Sequence, residues 1–241
     1  MRVTICGASE SSTLQNTLKT VVDCVDSVAH INSVDRADAE LVITVGEEPL
    51  RDCAVRGEPR PILPVGLNIE LSPSHEQLPV LVRQLAEYDA QQPPIVDVHP
   101  LDISVGDQQS IAVFDTTLMT SEPARISEYA VRVGGRPHAE FRADGVVVAS
   151  PLGSSGYNRA AGGPQLAPKT GVAVVPIAPF ATIADKWVLT PPLSVAVERD
   201  DSVSVFADTT HLTTGGAELT VDIETGEPLS LVDVPSVLDS P

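Results

Sequence analysis

Aromatic residues, lysine and long apolar runs are all scarce in this 241-residue chain. With one Trp, three Tyr and four Phe, a core must be assembled from Val, Leu, Ile and Ala, side chains that favour strands where the runs are short. No stretch approaches the 18 or so apolar residues of a membrane helix. The apolar opening, residues 1–5, is too short and too soon interrupted for a secretory signal. Lys19, Lys169 and Lys186 are the only lysines among 15 basic residues, against 33 acidic ones, for a net charge of −18. No basic stripe exists to neutralise phosphates along a duplex, which argues against nucleic acid as a partner. Cys6, Cys24 and Cys53 lack the paired spacing of a zinc or redox motif and are expected to be reduced thiols in a cytoplasmic chain. The five histidines, His30, His75, His99, His138 and His211, are isolated and form no metal-ligand spacing.

What is present points to a folded protein for a salty environment. Mean hydropathy is +0.10 and 42% of residues are hydrophobic, which excludes wholesale disorder. The acid is dispersed through the chain rather than gathered in a tail. Dispersed acid with little lysine suits concentrated salt, where screening removes much of the self-repulsion. A halophilic cytoplasm is the expected setting. Asp102, Asp107 and Asp115 are read as part of that acidic surface.

Two regions with different patterns follow one another. In residues 1–92, strands are expected at 2–6, 41–45 and 61–65, the prolines of the last marking an edge or a strand end. Leu14, Leu18, Val21, Val22, Val25 and Val28 recur at helical spacing after Ser11 or Ser12. Leu78, Leu81, Val82 and Leu85 form a second apolar face, with Ser74 and Gln77 as a capping box. This is the pattern of a small open α/β domain with a mainly parallel sheet. Residues 89–94 are polar and Pro-rich, a natural crossing. Residues 93–222 then carry short Val/Ile/Ala runs broken by turns at Gly134-Gly135 and Asp200-Asp201, a β-rich domain of sandwich type. Residues 223–241 form a tail or a strand returning to the first domain.

Chemistry concentrates between residues 144 and 164. Asp144-Gly145 leads into the apolar run Val146-Val147-Val148-Ala149, a buried strand. Ser150-Pro151-Leu152-Gly153-Ser154-Ser155-Gly156-Tyr157-Asn158 follows, then Ala161-Gly162-Gly163-Pro164. Hydroxyls, main-chain N–H groups and one aromatic ring are offered together, and the glycines admit a ligand close to the backbone. Such a segment suits a nucleotide or sugar-phosphate pocket.

These residues resemble the NAD kinase family, which carries Asp-Gly, an apolar run, Ser/Thr-Pro-Thr-Gly-Ser-Thr-Ala-Tyr and then Ser-Ala-Gly-Gly-Pro. The similarity continues through Pro176-Ile177-Ala178-Pro179. It covers about residues 130–210 and is faint before residue 90. The resemblance implies a two-domain NAD kinase-like fold, a small α/β domain followed by a β-sandwich-like one. It implies transfer of a phosphoryl group from ATP or polyphosphate to the 2′-hydroxyl of the adenosine ribose of NAD, giving NADP. Mg²⁺ is the implied divalent ion, with no ligand set assigned, and a homodimer or homotetramer the implied assembly. Asp144, Gly145, Gly153, Ser154, Ser155 and Tyr157 would hold the dinucleotide.

Departures from the family pattern fall in both domains. Where the family reads Gly-Gly-Asp-Gly-Thr, this chain reads Gly46-Glu47-Glu48-Pro49-Leu50. Gly46 keeps a glycine role in binding phosphate, and Glu48 stands where the family's Asp acts as general base. Glu47 adds negative charge and Pro49 removes an N–H. The family's Asn-Glu pair on the ribose becomes Ser121-Glu122. Leu152 replaces a Thr and Phe180 a His, while Asp208-Thr209 answers a later Asp-Gly. The functional expectation is an NAD kinase-like phosphotransferase, the alternative a non-catalytic NAD- or NADP-binding paralogue with a degenerate phosphate loop.

Overall fold

A computed structural model describes residues 1–7, 12, 15, 16, 19, 21, 27–30, 39–74, 76–88, 93–121, 126–199 and 202–239. The first elements are β1 (Arg2–Gly7), β2 (Ser27–His30), β3 (Leu41–Val45), α1 (Glu47–Arg56), β4 (Ile62–Val65), α2 (Leu78–Glu87) and β5 (Ile95–Val98). Then come β6 (Leu101–Val105), β7 (Gln108–Ala112), β8 (Asp115–Thr120), β9 (Ser127–Val133) and β10 (Arg136–Ala149). A 3₁₀ turn (Gly153–Ser155) and α3 (Tyr157–Ala160) precede β11 (Val172–Pro179), β12 (Trp187–Leu189), β13 (Leu193–Arg199) and β14 (Val203–Ala207). The chain closes with β15 (Thr210–Gly215), β16 (Thr220–Thr225), β17 (Leu229–Val232) and α4 (Val234–Leu238).

Two compact units result, one of residues 1–98 with 228–241, the other of residues 99–227. In the first, six strands run in the order β2-β1-β3-β4-β17-β5. All neighbours are parallel except β17 and β5. Every residue of β3 and β4 is buried, as expected of parallel strands. Val3, Ile5, Ile43, Leu63 and Val65 pack with Leu78, Leu81, Val82 and Leu85 of α2 and with Val234 and Val237 of α4. The capping box forms: the Ser74 N–H donates to Gln77 Oε1 at 2.9 Å and the Gln77 N–H to Ser74 Oγ at 3.3 Å.

Three expectations for this unit need correction. Ser12, Gln15, Asn16, Lys19 and Val21 are helical, but Val28 lies in β2; Ser11, Leu14, Leu18, Val22 and Val25 fall outside the described residues. Strand β4 is interior, so its prolines mark a strand end, with Pro61 just before Ile62, and not an edge. Its Pro64 is tolerated because β17 pairs with β4 only at Leu231 and Ile62, so no ladder bond is asked of Pro64 on that side. Residues 47–56, to which the sequence pattern assigns no helix or strand, form a helix ended by Gly57 in the left-handed conformation at φ 63°.

The second unit is one large antiparallel sheet, ordered β15-β14-β8-β10-β9-β13-β16-β6-β7, with β11 also on β10 and β12 on β11. Strand β10 is its hub. Residues 136–143 pair with β9, and residues 145–149 pair with both β8 and β11. It is far longer than the apolar run alone indicates, because Asp144 and Gly145 are strand residues and not a preceding turn. A Cβ on Gly145 would sit 2.5 Å from the Leu118 carbonyl oxygen. The core is Val, Ile, Leu and Ala, around a fully buried Tyr129 that lies 5.8 Å, centroid to centroid, from Phe141. Asp200 and Asp201 lie outside the described residues.

Cys6 on β1 and Cys53 on α1 are both buried free thiols. Burial lifts Cys6 to about 11 and Cys53 to about 12, the second helped by Cys6 itself. The folded state therefore holds both protonated where the unfolded chain would ionise them. Their contribution to stability is complete below pH 9 and is lost as pH climbs through 11 to 12. Alkylation at pH 8, mapped by peptide mass, should leave Cys6 and Cys53 unmodified until denaturant is added. Rapid labelling of either in the native protein would contradict this environment.

Candidate functional site

The site in the second unit is built where β10 delivers the chain out of the sheet at Ser150. Antiparallel pairing of β10 with β8 sets Ala149 opposite Asp115. The loop therefore starts beside the turn at residues 113–115. The buried Ser150 ties the two together: its hydroxyl donates to the Val113 carbonyl at 2.6 Å and its N–H to the Phe114 carbonyl at 2.8 Å. The same hydroxyl accepts the Gly153 N–H at 3.3 Å. Gly153 lies so close that a Cβ would come within 2.0 Å of the Phe114 oxygen. Only glycine permits this approach.

Further along, the loop is braced by its own polar side chains. Ser154 is buried; its hydroxyl donates to the Pro151 carbonyl at 2.7 Å and accepts the Leu166 N–H at 3.0 Å. Asn158, also buried, donates through Nδ2 to the carbonyls of Ser154 and Pro164, both at 2.8 Å. The Lys186 ammonium donates to the Gly162 carbonyl at 2.5 Å. The segment from 150 to 166 is thus a cross-tied loop, held by buried and part-buried hydrogen bonds of Ser150, Ser154 and Asn158 and by the exposed Lys186 tie.

Against this frame Tyr157 keeps 42% of its surface exposed. Its phenol is pushed above the usual tyrosine range, first by partial burial and then by the nearby Asp115 carboxylate. Asp115 is half-buried and accepts the Thr117 hydroxyl at 3.1 Å. It belongs to the site, whereas the sequence reading assigned it to the acidic surface with Asp102 and Asp107, which are indeed exposed. An open aromatic face beside a carboxylate, on a rigid glycine-containing loop, can stack a planar ring and accept hydrogen bonds from its hydroxyl or amino groups.

The other candidates divide between places. Gly153, Ser154, Ser155 and Tyr157 are brought together at the Asp115 end of the β8–β10 pair. Asp144 and Gly145 lie toward the other end, where Gly145 faces Met119. Six residues of strand, about 20 Å, separate Asp144 from Ser150. Ser121 follows β8 at that far end, exposed, its hydroxyl 2.8 Å from that of Ser204. Glu122 lies outside the described residues. Gly46 and Glu48 belong to the first unit. Gly46 has φ 88° and donates its N–H to the Val65 carbonyl at 2.9 Å. Glu47 and Glu48 form the exposed first turn of α1, with Glu47 3.7 Å from Arg51. Acidic side chains there are favoured by the helix dipole. This junction is a strand-to-helix step with a single glycine, so its main chain offers fewer free N–H groups than a glycine-rich loop would.

Among the described residues no group of three or more His, Cys, Asp or Glu side chains is placed to hold a metal ion. No described helix is long and apolar enough to cross a membrane.

Comparison with known proteins gives this site a context. Residues 115–230 match the family model described as the ATP-NAD kinase C-terminal domain. The match begins at Asp115 and contains the whole braced loop. Over its length the chain superposes on an NAD kinase from Archaeoglobus fulgidus, solved in complex with ATP, with a TM-score of 0.76. The fold is that of the NAD kinases. That superposition covers 98% of this chain and 95% of the other, at 21% sequence identity. A yeast NADH kinase solved with NADH superposes with a TM-score of 0.74, covering 96% of this chain and 83% of that one, at 15% identity. In sequence, an NAD kinase of Methanosarcina acetivorans is 31% identical over 170 residues, 67% of this chain and 60% of the relative. The chain thus matches about three fifths of that relative's length. The NAD kinase fold has one small sheet of mainly parallel strands and one large antiparallel sheet, and both are present here.

Sequence reasoning placed Asp115 on the acidic surface, and it named Ser150, Asn158 and Asp208 without the contacts that tie them to this loop and its neighbouring turn. Asn158 carried one usable signal: a small amide one residue after the aromatic, in a segment whose glycines demand close packing. The others act through contacts between positions far apart in sequence, which no local pattern records.

Proposed function

We propose that the protein is a phosphotransferase of the NAD kinase type, moving a phosphoryl group from ATP or polyphosphate to the 2′-hydroxyl of the adenosine ribose of NAD. The observation that carries this reading is the braced loop with Tyr157 and Asp115, lying within the stretch that matches the ATP-NAD kinase C-terminal domain. Tyr157, Ser155 and the main chain around Gly153 contact the dinucleotide, with Ser154 shaping the loop. Asp144, Gly145, Ser121 and Glu122 serve its remaining polar groups. Gly46 takes the phosphate-binding role and Glu48 removes the ribose hydroxyl proton as general base. The solved neighbours' ATP and NADH support a nucleotide donor and a nicotinamide dinucleotide acceptor. A divalent ion, Mg²⁺ by the family resemblance, would neutralise the donor phosphates; no described side chains form a resident site for it. The test is formation of NADP from NAD in high salt, with ATP and with polyphosphate as donors. Background rates with both, from folded protein supplied with Mg²⁺, would sink the assignment.

One observation favours a second reading. Two exposed glutamates followed by Pro49 open α1, adding negative charge and removing an N–H where donor phosphates would need the opposite. This supports a non-catalytic NAD- or NADP-binding paralogue. In that case calorimetry detects dinucleotide binding while product stays at background.

The cytoplasm of a halophile and assembly as a homodimer or homotetramer complete the proposal. Phe180, Ile183 and Val188 are exposed apolar residues that could serve such contacts. A net charge of −18 makes a direct prediction. At 1 M salt the screening length falls to about 3 Å, so the melting temperature should rise steeply between 0.1 and 2 M KCl, by roughly 10 °C or more. A melting temperature indifferent to salt would remove the halophilic reading. Light scattering in the same buffers gives the oligomeric state.

A further inference from the structure

We infer that Asp208 is a positioning residue for the dinucleotide loop, acting through the turn at residues 113–115. Asp208 sits half-buried between β14 and β15 in the left-handed conformation, φ 50°, which aspartate tolerates better than most residues. Its carboxylate accepts three main-chain N–H groups: Val113 at 3.0 Å, Phe114 at 2.8 Å and Asp115 at 3.1 Å. In return its own N–H donates to the Asp115 carbonyl at 2.7 Å. All of these bonds reach across to the turn and none stays within the β14–β15 hairpin. The hairpin has its own ladder, from Val203 opposite Gly215 to Ala207 opposite Thr210.

Occupying the donors on one side of the turn fixes its carbonyls on the other. Those carbonyls are what the loop rests on. Val113 and Phe114 receive the two Ser150 bonds, and Gly153 packs against Phe114. The third residue of the turn, Asp115, carries the carboxylate beside Tyr157. A single charged group therefore sets the height of the loop floor and the place of the acid next to the aromatic ring. Hydrogen bonds to a charged acceptor are the strong ones, and three converge here.

The ligand in this inference rests on the NAD kinase reading, so the experiment has one arm that needs no ligand. Asp208→Gly keeps the left-handed backbone and removes the carboxylate. Asp208→Asn keeps one acceptor oxygen for Phe114 and Asp115 but turns an NH₂ toward the Val113 N–H. His211→Ala is the control, since it breaks a bond to Thr214 inside the same hairpin without touching the turn. Amide exchange should quicken about tenfold or more in residues 113–115 and 150–158 for Asp208→Gly, less for Asp208→Asn, and not at all in β14 and β15. With NAD, the Kd and KM should rise about tenfold for Asp208→Gly, with partial rescue by Asp208→Asn. The kcat at saturating NAD should move by less than about threefold.

Unchanged exchange in 150–158 for Asp208→Gly would overturn the inference. So would equal losses in His211→Ala, which would mean a general hairpin effect. Wild-type protein that binds no NAD, together with the predicted exchange pattern, would refute the NAD reading and leave the positioning role standing.

Discussion

Replacing Gly153 with alanine is expected to cost about 3 kcal/mol of stability and to weaken NAD binding by roughly thirtyfold or more. The new Cβ would meet Phe114 at 2.0 Å from its oxygen, 2.4 Å from its carbonyl carbon and 2.9 Å from its Cα. All three are main-chain atoms, so no side chain can swing aside. Phe114 is itself held, accepting the Ser150 N–H and donating its own N–H to Asp208. Either the turn or the loop has to move, and each movement breaks the bonds that seat the other. Urea denaturation with an NAD titration on the surviving folded protein reads both effects. A variant within about 0.5 kcal/mol of wild type with unchanged affinity would show that the loop is not seated on Phe114.

The second large effect is catalytic. Glu48→Gln should lower kcat by a factor of about 10² or more, the usual contribution of a general base, with the NAD dissociation constant changed less than about twofold. Glu48 is exposed on the first turn of α1 and has no hydrogen bond or ion pair among the described residues, so its neutralisation costs only the small helix-dipole contribution. Glu48→Asp should raise turnover, because the carboxylate then has the side-chain length found in the related family. Rapid-quench measurement of NADP formation distinguishes the variants. Equal rates above background for the wild type, Glu48→Gln and Glu48→Asp would exclude Glu48 as the base, and background rates in all three would favour the binding-only reading.

Parts of this molecule could be read directly from residue order. The apolar runs of β1 and β3, the end of β10, and the Ser74–Gln77 capping box declare themselves by local chemistry. So did Gly153 and Tyr157, because an aromatic among glycines and serines has no place in a core pattern. Helix α1 did not: it buries only Leu50, Cys53 and Ala54, and its acidic start resembled a loop. Strands β8 and β15 were hidden by their threonines and serine-like polarity, since such strands take their order from paired neighbours. Asp144-Gly145 reads in the sequence only as the lead into an apolar run, yet β10 runs through it, with Gly145 packed against the Leu118 carbonyl.

The site was least legible where its parts are most separated. Asp208 and Val113 lie 95 residues apart, and Ser150 and Val113 lie 37 apart. A carboxylate holding three N–H groups leaves no periodicity in a sequence. Asp115 was misread for a related reason. In a chain with 33 acidic residues, one acid beside an aromatic ring cannot be told from the surface by composition.

The proposed function stands on dinucleotide binding at the braced loop. Amide exchange in molar KCl, with and without saturating NAD, tests it most directly. Protection is predicted in residues 113–115 and 150–164, strongest around Gly153 to Tyr157. NAD binding that leaves these amides unprotected, or protects another face of the second unit instead, would contradict the account.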